Sequence, residues 1–267
     1  MNPHNLMPQL QSATPAQVRA ACREGYLGPT SGMAQGWIQA NLIIVPKEDA
    51  WKVLLFATRN PIACPLLDVF DTGATSSALF QGDIRTDLPA YRIYQDGKLT
   101  QDLVADVSRY WREDLVSFLF GCSFSFETAL QQQGIAIRHI DAQRNVPMYI
   151  SNIDCAEAEG MRGKMVVSMR SIPAHQVADA VRITARYSKT HGSPVHIGNP
   201  EFLGINHIEQ PDFGDAPVIQ EGDLPVFWAC GVTPQVAVLT SKLPFCISHC
   251  PGMMAIMDLE DKDIIDL

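Results

Sequence analysis

The side chains in this sequence best suited to move a proton or attack a carbonyl are Cys122, Cys230 and His249. Cys122 falls in Gly121-Cys-Ser-Phe-Ser-Phe-Glu127, a turn that feeds a helix start, where the helix dipole would favour a thiolate nucleophile or acid–base group. The same turn could instead seat an anion through Ser123 and Ser125, with Glu127 as a dipole cap. Cys230 precedes Gly231 at a strand end, where open α/β sheets place their sites. His249 lies in a Ser-His-Cys-Pro-Gly turn and could pair with Cys230 as acid and base, although nothing in the sequence makes them neighbours. Cys246, His249 and Cys250, at spacings of three and four, do not fit a structural zinc knuckle, and no metal is expected.

Binding chemistry points to other stretches. Gly28-Pro-Thr-Ser-Gly-Met-Ala-Gln-Gly36 is a small, turn-rich segment in which Gly32 lets the backbone approach a ligand, and Thr30, Ser31 and Gln35 can donate to a carboxylate. Gln39 and Asn41 are amides on an apolar segment, so each is a structural pin or a substrate contact. Arg85 is the preferred carboxylate seat; on an alternating strand it shares a face with Asp87 and opposes Arg92. Arg144-Asn145, in a loop leading into a strand, is the alternative seat.

Composition narrows the partners. The 267 residues carry 20 Lys and Arg against 29 Asp and Glu, a formal charge of −9, which leaves no general footprint for nucleic acid or an anionic membrane. Apolar residues make up 46% of the chain, too many for disorder. Seven cysteines without a C-x-x-C pair, and no leader peptide, read as free thiols in a cytoplasmic protein. The longest apolar run, Leu115 to Phe126, is twelve residues and falls short of a membrane span. No Gly-x-Gly-x-x-Gly turn or P-loop is present, so no cofactor is expected. A small anionic metabolite is the expected partner, bound by local Arg and N–H donors, and self-association is left open.

Several elements must position these groups. Thr14-Pro15 caps a helix to Arg23, Leu42 to Val45 is a buried strand stopped by Pro46, and Asp49 to Thr58 is a short helix or strand. Asp96-Gly97 turns a hairpin between Asp87–Gln95 and Lys98–Leu99. Asp106 to Phe118 is amphipathic and reads with Ser125 to Gln133 as two helices. Strands are expected at 135–140, 146–150, 164–169 and 194–197, with a helix at 174–187, and further strands at 226–230, 236–240 and 255–259. The layout predicted is α/β. A larger three-layer-type domain uses residues 1–134 and 211–267, and a smaller two-layer α+β domain, 135–210, is inserted in it.

Five blocks carry a resemblance. The opening turn continues as Trp37-Ile-Gln-Ala-Asn-Leu up to Pro46; then come Arg138-His-Ile-Asp-Ala-Gln-Arg-Asn-Val-Pro-Met-Tyr, Gly160-Met-Arg-Gly-Lys-Met-Val-Val-Ser-Met-Arg, His196-Ile-Gly-Asn-Pro, and Phe227-Trp-Ala-Cys-Gly-Val-Thr-Pro-Gln followed by His249-Cys-Pro-Gly-Met. In register from about residue 14 to 260, these resemble the hydro-lyase family grouped with the D-glutamate cyclases. One departure shows: the family pattern has a small residue at Cys250 and often a His near Met253 or Met254. The resemblance implies a two-domain α/β enzyme that expels water from a small amino acid or carboxylate, with D-glutamate cyclisation as the first reaction to consider. Such chemistry needs a base for the amine, an acid for the leaving oxygen and donors for the oxyanion. Two other readings stay open: a Cys-dependent amide hydrolase, and a non-catalytic carboxylate-binding or regulatory protein.

Overall fold

The computed structural model describes residues 9–265. Helix α1 (Pro15–Arg23) opens with a capping box: Thr14 and Gln17 each bind the other's backbone N–H, so two orphan donors of the first turn are satisfied. Strand β1 (Trp37–Pro46) is buried from Ile38 to Pro46. Its side chains alternate between two cores, with Ile43 and Val45 in one and Leu42 and Ile44 in the other. Helix α2 (Lys47–Arg59) resolves the ambiguous stretch, because Val53, Phe56 and Ala57 recur at helical spacing and face the sheet while Trp51 stays outside.

Strand β2 (Leu66–Val69) is followed by the hairpin β3 (Tyr91–Gln95) and β4 (Lys98–Val104). Asp96 at φ 48° and Gly97 at φ 69° turn it, both left-handed as a type I′ turn requires. The expected helix at Asp106–Phe118 is not there. Beyond a short 3-10 turn, the chain becomes strand β5 (Leu115–Gly121), buried at all seven positions. Val116, Phe118 and Phe120 enter one core and Leu115 and Leu119 the other, so an unbroken apolar run is what a central strand needs.

A 3-10 turn (Ser123–Phe126) runs directly into α3 (Glu127–Gln132). The strand expected at 135–140 is also absent. Ile135 and Ile137 are buried as irregular chain, and α4 (Arg138–Asp141) follows. Then come β6 (Met148–Asp154), β7 (Lys164–Pro173), α5 (Val177–Thr184), β8 (His196–Ile197) and β9 (Asp223–Ala229). Residues 236–240, expected as a strand, belong to helix α6 (Thr233–Ser241); Pro234 starts it and burial of consecutive Val236, Ala237 and Val238 hides its period. Strands β10 (Phe245–His249) and β11 (Ala255–Glu260) complete the fold.

The protein is mixed α/β with two antiparallel sheets. The larger has the order β2-β5-β1-β10-β3-β4, with β11 also on β1, so β1 pairs with β5 on one side and with β10 and β11 on the other. The smaller has the order β6-β7-β9-β8 and draws β9 from beyond residue 210. Among the described residues no helix is long and apolar enough to cross a membrane.

Gly121 marks where the end of β5 meets the segment after α5. A side chain there would collide with the Lys189 carbonyl, which is rigid backbone. Gly121→Ala is expected to cost about 1–3 kcal/mol, as overpacking of a dense interior does, measurable by urea unfolding.

Candidate active site

Strand β7 places Ser168 and Arg170 two residues apart and therefore on one face, opposite Trp228 and Val226 of β9. The Arg170 guanidinium lies over the rings of Phe126 and Trp228, at 5.1 and 5.5 Å. Its Nε and Nη2 donate to Glu127 Oε1 at 3.0 and 2.5 Å, Nη1 donates to Ser168 Oγ at 3.0 Å, and Nη2 also donates to Ser123 Oγ at 3.0 Å. The first residue of α3 thus brings a carboxylate to a fully engaged cation.

The other oxygen of Glu127 faces the opening turn. Ser31 Oγ donates to Glu127 Oε2 at 2.6 Å, and His139 Nε2, from α4, lies 3.2 Å from Ser31 Oγ and 3.2 Å from Glu127 Oε1. Ser31, Ser123, Glu127, His139, Ser168 and Arg170 are each at most 4% exposed. Burial alone would push the Glu127 carboxyl up. Arg170, then His139 and Ser31, outweigh it and hold the carboxyl below its ordinary value, so it stays ionised. A crevice of about 10 Å³, lined by Arg138, His139, Arg170, Ser171, Pro217 and Val218, reaches His139 and Arg170 of this group. A larger groove of about 860 Å³, between residues 57–66 and 185–195, contains none of these six side chains.

The Ser31 turn is clamped. Thr30 N donates to Gly252 O at 2.9 Å, Thr30 Oγ1 donates to Gln39 Oε1 at 2.8 Å, and Met254 N donates to Thr30 Oγ1 at 3.1 Å. Gln39 Nε2 donates to Thr30 O and Met33 O, and Gln39 N donates to Ser125 Oγ at 3.1 Å. The Gln39 amide is therefore a pin that joins the Ser31 turn to the Ser125–Glu127 turn.

Of the residues singled out from sequence, Ser31 and Ser123 meet in the buried group, with Thr30 and Gly32 flanking Ser31. Gln35 is exposed. Asn41 Nδ2 donates to Gly121 O at 2.9 Å, and its amide fills the space a side chain at Gly231 would need. Arg85 is not on a strand; in an irregular segment it holds Asp83 at 2.6 and 2.8 Å and covers Trp111. Its supposed neighbours have other partners, Asp87 pairing with Arg23 and Arg92 with Asp102. Arg144 is exposed and donates to Ala216 O, and Asn145 Nδ2 donates to Pro251 O.

The thiols depart from their expected state. Cys122 and Cys230 share an apolar cluster with Val146, Met148, Val166 and Val236. Burial pushes the Cys122 thiol up, against the expected thiolate, and pushes Cys230 up to about 11. His249 is engaged elsewhere: Leu42 N donates to its Nδ1 at 3.0 Å, and Gln235 Nε2 donates to its carbonyl at 3.1 Å. Burial pushes both His249 and His191 down to about 4.

That depression has a defined sign. An unfolded histidine takes a proton below about 6.5, whereas these two resist until about 4. Their contribution is complete above pH 6.5 and falls away as pH drops toward 4, by about 3 kcal/mol each. The unfolding free energy of His249→Gln should therefore lose less than wild type between about pH 7 and pH 5 in urea titrations.

Sequence reasoning does not single out three members of the site, His139, Ser168 and Arg170, and it makes Glu127 a dipole cap. A signal existed for Arg170: a lone cation inside the buried strand Lys-Met-Val-Val-Ser-Met-Arg-Ser-Ile-Pro has to be paired. Among the described residues no group of three or more His, Cys, Asp or Glu could hold a metal ion.

Comparison with known proteins gives the family. Proteins carrying the name "Putative hydro-lyase" are 57% identical over 252 residues in Saccharopolyspora erythraea (94% of this chain, 99% of that protein) and 55% identical over 257 residues in Acinetobacter baumannii (95% of each). Another from Mycolicibacterium gilvum is 52% identical over 259 residues, covering 97% of this chain and 98% of its own. The class is a lyase-type enzyme. Residues 116–258 match the D-glutamate cyclase family, and the chain belongs to that family. The matched stretch holds Ser123, Glu127, His139, Ser168 and Arg170, with Ser31 supplied from outside it.

Proposed function

We propose that this enzyme removes water from a small amino acid carboxylate, and that D-glutamate, closing to 5-oxo-D-proline, is its substrate. The observation that carries the reading is the ionised Glu127 buried between Arg170, His139 and Ser31 in a chain of this family. Ring closure requires the α-ammonium to give up two protons, its nitrogen to bond the carbon of the γ-carboxyl group, and one oxygen of that carboxyl to leave with both protons as water.

Glu127 is the base for the ammonium proton, since it is ionised and faces two hydrogen-bond neighbours that can pass a proton on. His139, within 3.2 Å of both Glu127 and Ser31, carries the proton toward the departing oxygen. The guanidiniums of Arg138, bound to Asp223 at 3.1 Å, and of Arg170, bound to Glu127, line the crevice beside His139 and give it a cationic wall. The local cations matter more because the chain as a whole is at −9.

The test is incubation of pure protein with D-glutamate and detection of 5-oxoproline by mass spectrometry. Product formation well above that of Glu127→Gln supports the reading. Equal, background-level yields from the two proteins overturn it.

A further inference from the structure

We propose that Ser31 is a nucleophile, and that this site also transfers small acyl groups through an ester on the Ser31 hydroxyl. A serine hydroxyl is a weak nucleophile until a base adjoins it. Here Ser31 Oγ–H donates to the Glu127 carboxylate at 2.6 Å, while the same oxygen lies 3.2 Å from His139 Nε2. The Glu127 carboxylate is therefore in place to take its proton, with His139 Nε2 facing the same oxygen, and both groups are buried. Neither Cys122 nor Cys230 offers a competing arrangement, since each sits in an apolar cluster.

The backbone supports the same role. Gly32 at φ 81° directly follows Ser31, and Ala34, two residues further on, is also left-handed at φ 45°, which is uncommon for alanine. Strain of this kind persists where surrounding bonds over-determine it. Thr30 and Gln39 supply such bonds on one side, and Glu127 and His139 hold the hydroxyl on the other. Arg170, which binds the other oxygen of the same carboxylate, keeps a positive charge beside the base.

The step balances. Ser31 Oγ bonds the acyl carbon as the bond to the leaving group breaks; the hydroxyl proton passes to Glu127 and through His139 to that leaving group. A second nucleophile, water or an amine, then takes the acyl group and returns a proton to Oγ. With an ester the leaving group is an alcohol, and no oxidant or reductant enters.

The proposal goes beyond ring closure, in which the attacking nitrogen belongs to the substrate, and its test uses no glutamate. Purified protein is treated with diisopropyl fluorophosphate: Oγ–P forms, P–F breaks, and the proton and fluoride leave together. Peptide mass spectrometry should find one adduct, on Ser31. Labelling should be lost in Ser31→Ala and at least tenfold slower in Glu127→Gln and His139→Asn. A stoichiometric burst of 4-nitrophenolate from 4-nitrophenyl acetate should share those dependences. No adduct, an adduct elsewhere, or an undiminished rate in both Glu127→Gln and His139→Asn overturns the proposal. Should Ser31→Ala fail to fold, the position of the adduct in the wild-type chain decides alone. Success here with no 5-oxoproline would leave acyl transfer standing without cyclisation; the reverse would leave cyclisation without a serine ester.

Discussion

Arg170→Met is expected to lower the unfolding free energy by about 3–5 kcal/mol, a large part of the roughly 5–15 kcal/mol that stabilises a natural domain. The cause is what the substitution leaves behind. Glu127, 1% exposed, would keep its charge in the interior with only Ser31 and His139 beside it after losing both of its guanidinium bonds, and Ser123 and Ser168 would lose the donors Arg170 gives them. The carboxyl would respond by rising in pKa, because burial already pushes it that way and Arg170 is the principal opposing influence. Two further outcomes separate this account from simple loss of packing. Glu127→Leu in the Arg170→Met background should recover most of the lost stability, since exchanging a whole buried pair for apolar groups is often close to neutral. Stability of Arg170→Met should also improve relative to wild type as pH falls, because protonating the stranded carboxylate relieves it. Urea unfolding at two pH values measures both; a double variant no more stable than Arg170→Met would show that the charge is not the source.

Glu127→Gln is expected to reduce turnover of D-glutamate by about 10²–10⁴-fold, the range that a positioned general base supplies. Glutamine keeps the shape, accepts from Ser31 and Arg170 with one oxygen only, and cannot take a proton. His139→Asn should fall in the same range. The two changes combined should cost little more than either alone, because the groups share one proton path. Production of 5-oxoproline under saturating substrate gives the comparison, and independent, multiplying losses would separate the roles of the two residues. Thermal unfolding of each variant reports whether lost turnover reflects chemistry or fold.

Local signals in the sequence carried much of the fold. Thr14-Pro15 and Gln17 mark a cap, Asp96-Gly97 marks a hairpin, and both need only neighbouring residues to work. What failed did so for tertiary reasons. Leu115–Gly121 is buried at every position and the helix Thr233–Ser241 at its first six, and burial erases the alternation or helical period that would tell strand from helix. The candidate site divides in the same way. The turns at 28–36 and 121–127 announce themselves by glycine and serine. The Ser31–His139 and Glu127–Arg170 contacts close over separations of 108 and 43 residues, which no spacing rule reaches. Cys122 looked reactive because a helix start was visible, while the apolar cluster around it was not.

The pairing of β1 has a consequence for the order in which this enzyme can become active. Its partners β10 and β11, and the Gly252 and Met254 backbone groups that grip Thr30, lie more than two hundred residues further along the chain. During synthesis the Ser31 turn is made early and then waits, unanchored, until residues 245–260 exist. Such distant closures are entropically costly and slow. Capping of α1 and the β3–β4 hairpin can form while the chain grows, yet the arrangement of Ser31 against Glu127 belongs to the last stage of folding. A ribosome-bound chain halted before residue 245 would hold every acidic and basic member of the site and still be without the clamp that aligns them.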